Sequence, residues 1–105
     1  MAEKVQEEKV VDGRTLRWYP NRRKHCDDIL LYIAAYYREN GYMPNRREIS
    51  ENTGMVLSSV NYYLGFLAEG EQLEVMFGLS RAIKITPKGL ERLDELYELE
   101  RTSPA

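Results

Sequence analysis

The side chains best equipped for chemistry in this sequence are cations, amides and hydroxyls, not nucleophiles. Arg14, Arg17, Arg22, Arg23 and Lys24 form a run with no acid inside it, and Arg81, Lys84 and Lys88 form a second such run. The pair Arg46-Arg47 adds two further guanidinium groups. Forked guanidinium donors and compact ammonium charges both suit phosphate oxygens. The acids collect elsewhere, at Glu3, Glu7, Glu8 and Asp12 and again at Glu91, Asp94, Glu95, Glu98 and Glu100. A chain segregated in this way can turn a positive face to a nucleic acid although its formal net charge is −2. Between the basic stretches, Ser58, Ser59, Asn61 and Tyr62 offer hydroxyl and amide groups of the kind that bond to base edges and to phosphates.

No comparable set assembles for catalysis. The chain has one histidine and one cysteine, His25 and Cys26. Neither belongs to a Ser/His/Asp or Cys/His arrangement, and there is no Gly-rich phosphate loop, HExxH or CxxC. His25 reads as a helix-start surface residue and Cys26 as a core residue. We therefore expect no enzyme activity, no catalytic residues, no metal site and no cofactor. A lone cysteine excludes an internal disulfide and fits a reducing interior. No apolar run approaches the roughly 20 residues of a membrane span, and the charged N-terminus lacks a signal-peptide core. The expected setting is the cytoplasm, away from membranes.

The elements that must carry these side chains follow from hydrophobic period and turn chemistry. With 43% hydrophobic and 30% charged residues, 105 residues suit one globular domain. Asp12-Gly13 between β-favouring residues predicts a hairpin over 10–19 that ends at Pro20. Cys26, Ile29, Leu30, Ile33 and Tyr37 keep a helical rhythm and predict a first helix over 22–39, stopped by Asn40-Gly41. Asp27 and Asp28 are read as early acids that favour the helix dipole. Asn45 and Glu48 have capping-box spacing and open a second helix over 46–52. Gly54 supplies a tight turn, and Val60, Tyr63, Leu64 and Leu67 mark the inner face of a third helix over 57–69. Two β-prone runs flanking Phe77-Gly78-Leu79-Ser80-Arg81 predict a second hairpin, a wing near 73–86. Pro87 then starts a last helix over 88–101, with Leu90, Leu93, Leu96 and Tyr97 on one side.

This order is that of a winged helix-turn-helix: a mainly α, α+β fold with an added N-terminal β-hairpin and a C-terminal helix. Gly41-Tyr42-Met43-Pro44-Asn45-Arg46-Arg47-Glu48-Ile49 resembles the opening of the helix-turn-helix in LexA-type repressor DNA-binding domains, where Gly-x-x-Pro-(Thr/Ser)-x-x-Glu-Ile is common. The stretch from Gly54 to Leu67 resembles the turn and recognition helix of winged repressors. Ile85-Thr86-Pro87-Lys88-Gly89 is similar to the junction after the wing in MarR- and PadR-like regulators. Together these matches cover about residues 24–95. The chain departs from the pattern in two places. Its third helix carries no Arg or Lys, and Val56 stands where a Ser or Thr cap is usual. No segment is long enough for the LexA self-cleavage domain, so that activity is expected to be absent.

The resemblance implies a sequence-specific double-stranded DNA-binding protein that regulates transcription. With its inner face buried, the third helix turns Leu57, Ser58, Ser59, Asn61 and Tyr62 outward to the major groove. Asn61 is placed to read adenine, Ser58 and Ser59 to bond bases or phosphates, Leu57 to meet a thymine methyl and Tyr62 to reach a phosphate. Arg46 and Arg47 suit backbone phosphates, and Arg81 and Lys84 on the wing suit phosphates or the minor groove. Arg14, Arg17, Arg22, Arg23 and Lys24 are additional candidate contacts, or a solvated hairpin edge. The expected layout is an acidic tail over 1–9, a hairpin extension over 10–20, the winged domain over 21–101 and a tail over 102–105. Surplus terminal elements suggest a homodimer on two half-sites. The alternative is a winged-helix module that docks onto a protein partner, favoured by the uncharged third helix and a pI near 5.5.

Overall fold

The first helix, α1, spans Arg22–Asn40 and buries Cys26, Ile29, Leu30, Ile33 and Ala34. These positions recur at the spacing of one helical face. In this computed structural model the described residues are 21–76, 78, 79 and 81–102. The expected tail over 1–9, the hairpin extension over 10–20 with Arg14 and Arg17, and the residues Phe77, Ser80 and 103–105 lie outside them.

Two expectations for α1 need correction. Ala34 takes the inner position expected for Tyr37, which is 49% exposed. Asp27 and Asp28 lie beyond the first turn, because the helix already begins at Arg22. They act as ion-pair partners instead, Asp27 to Arg92 at 2.8 Å and Asp28 to Lys24 at 3.1 Å.

Helix α2, Arg46–Thr53, opens with the expected capping box. The Glu48 N–H donates to Asn45 Oδ1 at 2.8 Å, and the Asn45 N–H donates to Glu48 Oε1 at 2.9 Å. The turn after α2 depends on Gly54, whose φ of 79° lies in the left-handed region. Side chains complete the turn: Ser50 Oγ donates to the Met55 carbonyl and Thr53 Oγ1 to the Ile49 carbonyl, both at 2.6 Å. Helix α3 follows at Leu57–Glu69, burying Val60, Tyr63, Leu64 and Leu67 as expected.

Strands β1, Leu73–Val75, and β2, Ile83–Ile85, pair antiparallel with Leu73 opposite Ile85, Glu74 opposite Lys84 and Val75 opposite Ile83. Leu73 and Ile83 turn into the core while Glu74 and Lys84 face solvent, the alternation of a half-buried sheet. Helix α4, Pro87–Thr102, packs on α1 and β2. It includes Thr102, one residue of the expected tail. Leu93 is buried on its inner face, whereas Leu90, placed on that side by its spacing, is 54% exposed; Leu99 is 61% exposed. Arg92 holds the helix down with two bonds to Asp27, at 3.0 and 2.8 Å.

The three helices α1–α3 thus enclose one apolar cluster, closed by the hairpin and α4. The result is a small α+β, winged-helix-like fold.

The junction into α4 explains the Thr86-Pro87-Lys88-Gly89 sequence. Thr86 is the N-cap: its Oγ1 accepts from the Gly89 N–H at 3.0 Å and its carbonyl accepts from the Leu90 N–H at 2.9 Å. Pro87 occupies the first helical position, where no N–H is needed. At Gly89 a Cβ would meet the Gln72 carbonyl oxygen at 2.2 Å. Gly89→Ala should therefore cost roughly 1–3 kcal/mol by urea unfolding, as overpacking does, although alanine is the better helix former. A neutral or stabilising outcome would show that the junction is looser than described.

Cys26 sits in the core with Sγ 3.9 Å from the Tyr63 carbonyl oxygen. Burial, aided by the Asp27 charge, pushes its thiol up to about 11. The native protein should therefore resist a thiol reagent at neutral pH, reacting only at the rate of unfolding. Rapid labelling without denaturant would contradict the packing.

Candidate nucleic-acid interface

The inward residues of α3 decide which side chains face out. Opposite Val60, Tyr63, Leu64 and Leu67 lies a face built from Ser58, Asn61, Tyr62 and Gly65, at i, i+3, i+4 and i+7. Ser58 and Asn61 are exposed, Ser59 is half-buried and Leu57 is 40% exposed. Val56, preceding the helix, is 65% exposed and gives no side-chain cap, although its carbonyl accepts the Val60 N–H at 3.1 Å.

Tyr62 shares this outward face and also packs against its neighbours along the helix. Its ring is half-buried and meets Phe66 edge-on at 4.9 Å and Tyr63 at 5.4 Å. The guanidinium of Arg22 lies 4.1 Å over the Phe66 ring. Arg22, Phe66 and Tyr62 therefore form one cation–aromatic patch on the flank of α3.

The remaining cations are distributed over three elements. Arg47 is exposed and Arg46 half-buried at the start of α2. Arg23 is exposed on α1, beside Lys24 with its Asp28 partner. Lys84 is exposed on β2, directly across from Glu74.

Arg81, read from the sequence as a wing cation, has its partners inside the molecule. Its two terminal nitrogens donate to the Glu48 carboxylate at 2.9 and 3.0 Å, and Nη1 also donates to the Met43 carbonyl at 2.9 Å. The guanidinium lies 4.7 Å from the centroid of Tyr42, and Tyr36 donates its hydroxyl to Glu48 Oε2 at 3.1 Å. What the sequence did not assign is the joint contact of Glu48, Tyr36 and Tyr42 with Arg81. Glu48 carried a signal for its capping role, but nothing local points to a partner 33 residues away.

Gly65 was missed as well. An added Cβ there meets nothing within 4 Å, so intramolecular packing does not require glycine. A mid-helix glycine costs about 0.5–1 kcal/mol relative to alanine, and this one lies on the same face as Ser58 and Asn61.

Among the described residues no cluster of three or more His, Cys, Asp and Glu side chains is arranged to hold a metal ion. No helix among them is long and apolar enough to cross a membrane.

Over 78 aligned residues the chain is 41% identical to the LexA repressor of Ligilactobacillus salivarius (strain UCC118). It is a partial homologue. The aligned stretch covers 71% of this chain and 36% of that repressor, so the chain spans about a third of the relative's length. No family model and no solved structure matches.

The Arg81 guanidinium, then the Asn45 N–H, hold the Glu48 carboxyl below the usual glutamate range. Folded Glu48 therefore gives up its proton more readily than unfolded Glu48. Its contribution to stability is complete above the ordinary value near ~4.3 and is lost as pH falls through the lowered native value. Thermal melts should show stability falling from about pH 5 downward, with a shallower acid limb in Glu48→Gln. Identical limbs in the two proteins would mean that the pair makes no pH-dependent contribution.

Proposed function

We propose that this chain is a sequence-specific double-stranded DNA-binding protein that regulates transcription in the cytoplasm. Helix α3 enters the major groove, and the hairpin lies on the backbone or in the minor groove. The observation that carries the reading is the outward face of α3, set by its buried counterpart in a helix-turn-helix joined at Gly54. Similarity to a protein named as a repressor supports it.

In this reading Asn61 offers its amide to adenine, and Ser58 and Ser59 bond to bases or phosphates. Leu57 meets a thymine methyl. Arg47, Arg46 and Lys84 neutralise phosphates, and Arg22, Arg23 and Lys24 add charge at the flank. Tyr62 serves the aromatic patch first and reaches the backbone from it. Gly65 allows the groove wall to approach the α3 backbone, where a methyl group would intrude. A homodimer on an inverted repeat supplies the affinity that a single helix lacks. The MarR- and PadR-like junction enters as the joint that seats α4.

The absence of Lys and Arg on α3, together with Glu74 facing Lys84, favours the second reading of a protein-docking module. Binding to random-sequence duplexes, followed by anisotropy across a salt series, separates the two. The DNA reading expects affinity that falls linearly on a log–log salt plot, with Arg47→Ala reducing the slope by about 0.9. Asn61→Ala should cost roughly 1–3 kcal/mol on a selected site and far less on random DNA. Gly65→Ala should raise the melting temperature yet weaken binding. Absence of duplex binding at low salt would sink the DNA reading.

A further inference from the structure

The hairpin is a weak platform by itself. Each strand has three residues, and an isolated two-stranded ribbon is marginal in water. If it is to meet DNA in a defined orientation, something beyond its own ladder must aim it. We infer that Arg81 is the positioning residue of the wing, clamping it to the start of α2 through Glu48, and is not itself a phosphate ligand. This inference rests on the DNA-binding reading above.

Arg81 lies just before β2 and has a φ of 60°. That left-handed conformation is uncommon for a residue with a side chain and persists only where surroundings hold it. The holding contacts are specific. A bidentate pair with Glu48 at 2.9 and 3.0 Å fixes the plane of the guanidinium, and the Met43 carbonyl takes Nη1 at 2.9 Å. Tyr42 covers a face of the group, and the Tyr36 hydroxyl lies 3.4 Å from Nη1. Glu48 is immobilised in turn, since the same carboxylate closes the α2 capping box. The clamp therefore joins the wing to α2 without passing through α3. Lys84, three residues on, inherits the orientation. Nη1 is engaged by Met43 and Glu48 and Nη2 gives one hydrogen to Glu48, so the charge is already met by a carboxylate and an end-on forked contact to a phosphate through both terminal nitrogens would require dismantling the clamp.

Two variants of similar size separate positioning from direct contact. Glu48→Gln keeps the capping box, which accepts glutamine, but removes a negative charge and the strong half of the clamp. Arg81→Lys keeps the positive charge and loses the planar fork. Positioning expects each variant to bind duplex roughly two- to tenfold more weakly, as when one or two side chains must be ordered on binding, with the salt slope of the wild type. Hydrogen exchange provides a readout independent of DNA: the Met76 amide, bonded to the Ala82 carbonyl at 3.0 Å, should exchange faster in both variants. Amides inside α1 should be unchanged.

Tighter binding by Glu48→Gln with a slope steeper by about 0.9 would overturn the inference, because it would show Arg81 released onto a phosphate. Unaltered Met76 exchange in both variants would also overturn it. If the wild type binds no duplex, the functional reading fails, and the exchange data alone then support or refute the clamp.

Discussion

Burial of Val60, Tyr63, Leu64 and Leu67 sets the rotation of α3 about its own axis, and the rest of the molecule depends on that angle. A fully buried side chain of this kind is worth about 1.5–3 kcal/mol relative to exposure. Turning the helix by one residue would expose part of that set and press Ser58 or Asn61 into an apolar cluster that offers no partner for their polar groups. The same four residues that close the core therefore choose which groups meet the outside.

The turn before α3 has a related role at another scale. Gly54, Ser50 and Thr53 use backbone and side-chain hydrogen bonds to end α2 and restart the chain within a few residues. A longer connection would let α3 slide along α2, and the capped end of α2 would lose its fixed distance from the outward face. Electrostatics then ties in the elements that arrive later in the chain. The hairpin is held through Arg81 and Glu48, and α4 through Arg92 and Asp27, a half-buried pair with good geometry on both oxygens. Each is an arginine fork on a carboxylate, and each spans an otherwise thin contact between elements. A planar fork restricts rotation in a way that a single lysine contact does not.

The negative total charge is also easier to understand in three dimensions. Several acids that count against nucleic-acid binding in a sum are neutralised within the fold, Glu48 by Arg81, Asp27 by Arg92 and Asp28 by Lys24. Others lie along α4 with Arg92 and Arg101 among them. Equally, some of the cations are committed inside the molecule, so net charge measures neither face.

Local chemistry was legible in the sequence because its causes are local. The helix positions, the Asn45–Glu48 capping box, the Gly54 turn, the buried face of α3 and the two strands around the Gly78 loop all follow from period, propensity and spacing within a few residues. Errors arose where a side chain's role depends on distant chain. Tyr37 shares the helical spacing of Ile33 but is exposed, because Ala34 fills the inner position instead. Leu90 looks like core on a helical wheel, yet α4 meets α1 and β2 along a narrow seam. Asp27 suits a helix dipole until Arg92 approaches from 65 residues away. Periodicity and caps thus determined which elements form and which way α3 faces. Only the tertiary structure decided that Arg81 belongs to Glu48, that Arg22 rests on Phe66 and that Gly89 must lack a Cβ, since those depend on which separate segments pack together.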